Sequence, residues 1–426
     1  MNNYTFEGKL KSTLIGFMVI GLVSMIITFM GDDALHTRFW TNFLHNSLFF
    51  TGISLMAVFT LAAFILAWAG WYTGMKRVWE SMVGFLVVGM VLMLILAVGN
   101  YMGFHSLYHW NDAQSLIDDK VLLAKSFFLN KGAYIFGTII TIGFAWFVGN
   151  KFRSLSRKEE NDEENSTFKY HHKMRVYSGL FLPIFGYASV LMLWLWLMSL
   201  DAHWYSTLYA WKATVSWFVS MIAMTILILI YLQSKGYYKN ITTEHYHDLG
   251  KFLFAFSIFW TYMWFSEYML IWYSNNGEET GYFFLRRNEY NVLWTGNVII
   301  NFVLPFIVLL PNSTKRYRGL LVFMSIVLFF GHWIDYFLMI KPGALHTAHA
   351  LLAASVEHGG HAVAEHGGHG HSSFTPGFTL PGLVEIGTFI GFLGLFLFVF
   401  FTNLAKTTLV SKKDPYYEES LHHHVM

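Results

Sequence analysis

Glu267 stands inside the run KFLFAFSIFWTYMWFSEYMLIWYS (Lys251–Ser274), which is otherwise almost wholly apolar and aromatic. A carboxylate at that depth in hydrocarbon is costly unless it faces a protein interior and finds a partner there. Asp335 repeats the situation in a second apolar run, Gly319–Ile340. At 1.5 Å of rise per residue, both acids lie roughly 24 Å from the same end of their helices. Two carboxylates close together in a low dielectric do not both ionise, so one is expected to hold an exchangeable proton. His332 precedes Asp335 by three residues and shares its helical face. A neutral imidazole beside a buried carboxylate makes a proton-accepting pair. The plainer alternative is that these groups satisfy one another as packing glue.

The other ionisable residues gather toward the outer ends of the apolar runs. Glu385 lies about one turn inside the last run, Asp201 and His203 close the fifth, and His105 and His109 follow the third. Asn297 falls in the outer part of the eighth. The inner halves contain no Asp, Glu or His, and hold scattered hydroxyls such as Ser325, Thr225 and Thr141. Proton transfer is therefore expected near the outer surface, through Glu267, Asp335, His332, Glu385, Asp201 and His203. A quinone needs an apolar cleft with a proton-exchanging side chain, and His105, His109 and Asn297 are the candidates for holding it.

The elements that position these residues follow from composition. Of 426 residues, 55% are hydrophobic and 13% charged, where a soluble domain carries about a quarter charged. The expected fold class is all-α, a polytopic membrane protein. Ten apolar runs can span a bilayer: about 12–30, 44–67, 82–104, 131–149, 176–200, 212–232, 251–274, 291–310, 319–340 and 382–404. With the N-terminus inside, 20 of the 28 Lys and Arg residues fall on inner segments. That asymmetry places both termini in the cytoplasm. The N-terminus lacks a small-residue cleavage site, so the first run is expected as a retained helix. Residues 1–150 thus carry four helices, 151–175 a polar cytoplasmic linker, and 176–345 five more. Residues 346–381 form an outer loop, and 382–426 the tenth helix with a cytoplasmic tail. The outer loop is rich in histidine: His346, His349, His358, His361, His366, His369 and His371. Such a tract suits either metal scavenging or a flexible, pH-sensitive connection.

Cysteine is absent, which excludes disulfides, thiolate zinc sites and Cys-ligated iron–sulfur clusters within the chain. His332 is the only histidine read as deep in a run, so neither a two-histidine haem nor a haem–copper centre is expected. A net charge of +2 is too balanced to suggest nucleic acid.

At SLDAHWYSTLYAW (199–211) a family resemblance becomes specific, supported by FSEYMLIWYSN (265–275), GHWIDYFLMIKPG (331–343) and VEIGTFIGFLG (384–394). The chain resembles the F subunits of alternative complex III, NrfD-like membrane subunits of the polysulfide-reductase class. The resemblance covers essentially the whole length. It implies two four-helix bundles, helices 2–5 and 6–9, flanked by helices 1 and 10, in a bacterial inner-membrane quinol:cytochrome c oxidoreductase. It further implies partners: a related membrane subunit, multihaem cytochrome c and iron–sulfur subunits, and a terminal oxidase. Haems and clusters would reside in those partners, and menaquinol would be the lipid-soluble reductant. Two rival readings stand beside it, a structural anchor for redox subunits and an ion-coupled transporter using Glu267 and Asp335. Transporters favour broken helices at the binding site. Of the prolines inside runs, Pro183 and Pro305, neither adjoins the acids in sequence.

Overall fold

Backbone amides have no water to bond in hydrocarbon, so long apolar runs must be helical. The computed structural model agrees; it describes residues 4–112, 116–117, 119–162, 168–358 and 377–424. Its long helices are α1 (Gly8–Met30), α2 (Thr37–Leu66), α3 (Lys76–Met102), α4 (Lys131–Asn161), α5 (Lys169–Trp196), α6 (Thr207–Ser234), α7 (Thr243–Ser274), α8 (Asn291–Leu309), α9 (Arg318–His358) and α10 (Leu383–Leu404). Among the described residues, nine of these, all but α7, are long and apolar enough to cross a membrane. α7 has 32 residues, ample length to cross, but its Trp, Tyr and charged residues lower its hydropathy. The build is that of a multi-pass helical membrane protein.

Several helices begin or end well outside the apolar runs, because polar turns cap them beyond the hydrocarbon. The Ser206 hydroxyl accepts from the Tyr209 amide and starts α6 more than a turn before Lys212. α3 begins at Lys76, α2 at Thr37, and α4 runs on to Asn161. The expected 151–175 linker is therefore largely helical, with residues 163–167 outside the described set. α9 likewise continues through His346, His349 and His358. His361, His366, His369 and His371 lie outside the described residues.

α2 and α6 form the centre, each with 83% of its most apolar stretch buried. Gly52 of α2 gives the Trp217 ring of α6 its space, since a Cβ there would collide with the indole. α7 and α9 pack on α6, while α3, α5 and α9 pack on α2. α1 is peripheral and pairs with α10, the two backbones meeting at Gly21 and Gly391. Both chain ends share one end of the molecule, here the terminal end. Tyr4 packs against Phe401 (5.5 Å between ring centroids) and Tyr237 (5.3 Å) there. The C-terminal tail crosses the same end, where Asp414 meets Lys76 and the Ser420 hydroxyl donates to the Trp71 carbonyl (2.9 Å).

α8 is not a regular helix. Its middle turn, Ile299–Val303, is a π-helix, followed directly by Leu304 and Pro305. Proline has no N–H to return to the Asn301 carbonyl, and the backbone widens by one residue instead. Gly331 of α9 lets the widened turn approach, because a Cβ there would strike Asn301 and Ile300.

Candidate functional site

Glu267 and Asp335 are both buried, at 1% and 2% exposure, and each has its own partner. Lys212 Nζ donates to Glu267 Oε2 at 2.7 Å, forming an ion pair inside the protein. Asp335 accepts from the Trp260 indole at Oδ2 (3.0 Å) and from the Asn297 amide at Oδ1 (2.9 Å). Asn301, on the π-helical turn, donates in turn to Asn297 Oδ1 at 2.6 Å. The two acids are therefore held differently: an ammonium pairs with Glu267, and neutral donors solvate Asp335.

His332 is also placed differently from expectation. Its Nδ1 lies 2.9 Å from the Ser216 hydroxyl of α6, not on Asp335. Ser216 interacts with the Asp335 carboxyl as well, so the hydroxyl stands between imidazole and acid. Ser216 is one turn from Lys212 on the same face of α6. Lys212, Ser216, Glu267, Trp260, His332, Asp335, Asn297 and Asn301 thus form one buried polar constellation among α6, α7, α8 and α9. Glu267 Oε1, His332 Nε2 and Asn301 Oδ1 have no protein partner, leaving capacity to accept or donate.

Glu385 belongs to a separate cluster. Arg38 grips it at two points, Nε to Oε1 (2.7 Å) and Nη2 to Oε2 (2.8 Å). Asn42 and the Gly382 amide complete its shell at 3.1 and 2.9 Å. Lys341 beside it is fully buried and donates to Thr41 and Asn42 (2.8 and 2.7 Å). A carboxylate so held is a clamp between α2 and α10, and among the described residues no hydrogen bond joins it to Asp335.

Asp201 and His203 turn to different partners. Asp201 accepts from Arg286 Nη2 at 2.8 Å, and that guanidinium lies 3.4 Å from the Tyr282 ring. Burial alone would lower Arg286, but Tyr282, Asp201 and Tyr209 hold it above its ordinary range. His203 is exposed and meets Asp119. Burial pushes the Asp119 carboxyl upward, yet His203 and the Leu122 and Val121 amides hold it below its usual range. The outward relay expected from Asp335 through Glu385 to Asp201 and His203 is therefore three separate pairings.

The quinone candidates do not converge. His105 caps its own helix, Nε2 to the Leu96 carbonyl at 3.0 Å, under the Trp40 ring. His109 lies in the loop after α3, its ring centroid 6.0 Å from His203. Asn297 is committed to Asp335 and Asn301.

Sequence reasoning missed two kinds of residue. His45, 1% exposed on α2, is a second deep histidine, with Nε2 on the Trp333 carbonyl at 2.9 Å. Its position at the edge of an apolar run hid its depth. The other kind is helix-terminal charge. Lys76, Arg77, Glu80 and Glu159 are buried at the terminal end, with Arg77 donating to Glu80 at 2.6 Å. All four lie just beyond the apolar runs 82–104 and 131–149, so the runs alone did not show them. No protein-family model and no curated protein matches the chain.

Proposed function

We propose that the chain is an integral membrane subunit of a respiratory quinol:cytochrome c oxidoreductase, handling protons rather than electrons. The observation that carries this reading is the buried Lys212–Glu267 pair one turn of α6 from Ser216, whose hydroxyl meets His332 and Asp335. Buried ionisable residues within the helices of a membrane protein mark proton or ion pathways more often than packing. Around it the reading takes ten crossings, α7 included, with both termini cytoplasmic on the basic-residue asymmetry. α2–α5 and α6–α9 form two groups, with α1 and α10 outside them. Quinol oxidation, with menaquinol as reductant, is assigned to the boundary with a related membrane subunit, since His105, His109 and Asn297 do not meet. Multihaem, iron–sulfur and terminal-oxidase partners would take the electrons, as the family resemblance implies.

The chemistry available to the chain itself is proton exchange. The Lys212 ammonium sits 2.7 Å from the Glu267 carboxylate; a proton arriving on Glu267 from a donor outside the pair removes that counter-charge and lets Lys212 release one to another acceptor. Ser216 can accept from one neighbour while donating to the other, so it links His332 with Asp335.

The test is Glu267→Gln and Asp335→Asn in the assembled complex, reconstituted in liposomes. Quinol:cytochrome c turnover should continue with a lower proton yield per electron. Unchanged turnover and proton yield in both variants would leave the chain a structural anchor. One feature favours a second reading: the π-helical break in α8 sets Asn301 on Asn297, which in turn donates to Asp335, and ion-coupled transporters build their sites at broken helices. Ion uptake by the chain alone in liposomes, without any redox partner, would select that reading.

A further inference from the structure

We propose that the terminal end binds one phospholipid, its phosphate over Tyr238 and its acyl chain in a groove between α1, α6, α9 and α10. The groove has a volume of about 390 Å³ and is walled by Leu10, Leu227, Tyr231, Phe330, Leu393 and Phe401, with no charged side chain in its lining. A second pocket, of about 420 Å³, is polar and includes Glu160, Tyr238, Lys239, Asn240 and Lys412. Tyr4 packs against one residue of each, tilted on Phe401 of the groove (5.5 Å) and edge-on to Tyr237 of the pocket (5.3 Å). An apolar trough leading to a cationic pocket has the polarity of a lipid, chain first and headgroup last.

The pocket is built to receive something. Tyr238 is 3% exposed, yet its hydroxyl has no protein partner. Its backbone is held in the left-handed region, φ 49°, a conformation a bulky residue adopts only when its surroundings fix it. Lys239 and Lys412 are exposed, and neither has a protein partner among the described residues. Arg77 stands close enough to feel Tyr238 electrostatically, with Nε and Nη2 unpaired. A phosphodiester accepts from two ammonium groups and a phenol O–H together. Glu160, with Oε2 unpartnered, accepts from a headgroup hydroxyl. Two cations and one acceptor therefore suit phosphatidylglycerol better than bare phosphate, which would leave both Glu160 and the groove unused. Basic pockets between membrane helices are a recurrent seat for anionic headgroups.

The experiment uses the full chain, delipidated in detergent and titrated separately with short-chain phosphatidylglycerol, phosphatidylcholine of equal chain length, and inorganic phosphate. Phosphatidylglycerol should bind and raise the melting temperature. Lys239→Ala with Lys412→Ala should weaken it roughly thirtyfold, and Tyr238→Phe several-fold. Lys173→Ala, an exposed change on α5, should have no effect. Should the double variant fold poorly, Lys412→Gln alone carries the same sign. Equal binding of phosphatidylcholine, a full response to phosphate alone, or unweakened binding by the lysine variants would each overturn the proposal.

Discussion

Removing either member of the Lys212–Glu267 pair strands a charge among Tyr209, Trp260 and the other buried side chains of the interior. Lys212→Met should therefore destabilise the chain by about 3–5 kcal/mol, the usual cost of breaking a buried pair. Lys212→Met with Glu267→Met should recover most of that loss in a thermal melt. The double variant also separates glue from chemistry: restored stability with a lost proton yield assigns the pair to proton transfer. Glu267, Asp335 and His332 were legible because each interrupts an apolar run, where a polar side chain has no other reason to be. Their partners were not. Lys212 in YAWKATVSW reads as an interfacial cation, and only the Ser206 cap shows that it lies inside α6. Arg38 reads as a loop residue in GDDALHTRFW, so nothing in the sequence announced that it grips Glu385. Hydrogen-bond partners depend on which faces of different helices meet, and periodicity within one helix does not contain that.

Among the described residues a long helix covers each of the ten runs, and nine of these helices are apolar enough to cross a membrane. Their ends were misplaced by up to about five turns, since α4 runs on to Asn161 and α9 to His358, and caps such as Ser206 start helices in polar sequence. The irregular turn in α8 was half-legible, as Pro305 marked a defect without showing that the defect reaches Asp335. Pro305→Ala should let Ile299–Val303 relax toward an α-helix and withdraw Asn301 from Asn297. Slower hydrogen exchange across that turn, with a proton yield lowered as in Asp335→Asn, is the expected pair of results. Gly331→Val should act from the other side of the contact, costing about 1–3 kcal/mol in stability as its side chain meets Asn301.

For the molecule as a whole, orientation is open to a clean test because the sequence has no cysteine. Ser234→Cys lies at the terminal end and Asn275→Cys at the opposite end of α7. In intact spheroplasts an impermeant thiol reagent should label Asn275→Cys and spare Ser234→Cys; the reverse pattern would invert the topology. The pairing of α1 with α10 has a consequence for how the chain is made. Gly21 leaves the ribosome about 370 residues before Gly391, and at about 5–20 residues per second that interval is roughly 20–75 s. Throughout it the first helix has no permanent neighbour on its glycine face, and every intermediate presents that face to lipid and to the quality-control proteases of the membrane. The last helix then acts as the closing step of biogenesis. A chain cut short anywhere before residue 391 should be cleared rather than accumulate as a smaller subunit, and pulse-chase of a truncation ending after α9 would show it as a shortened half-life.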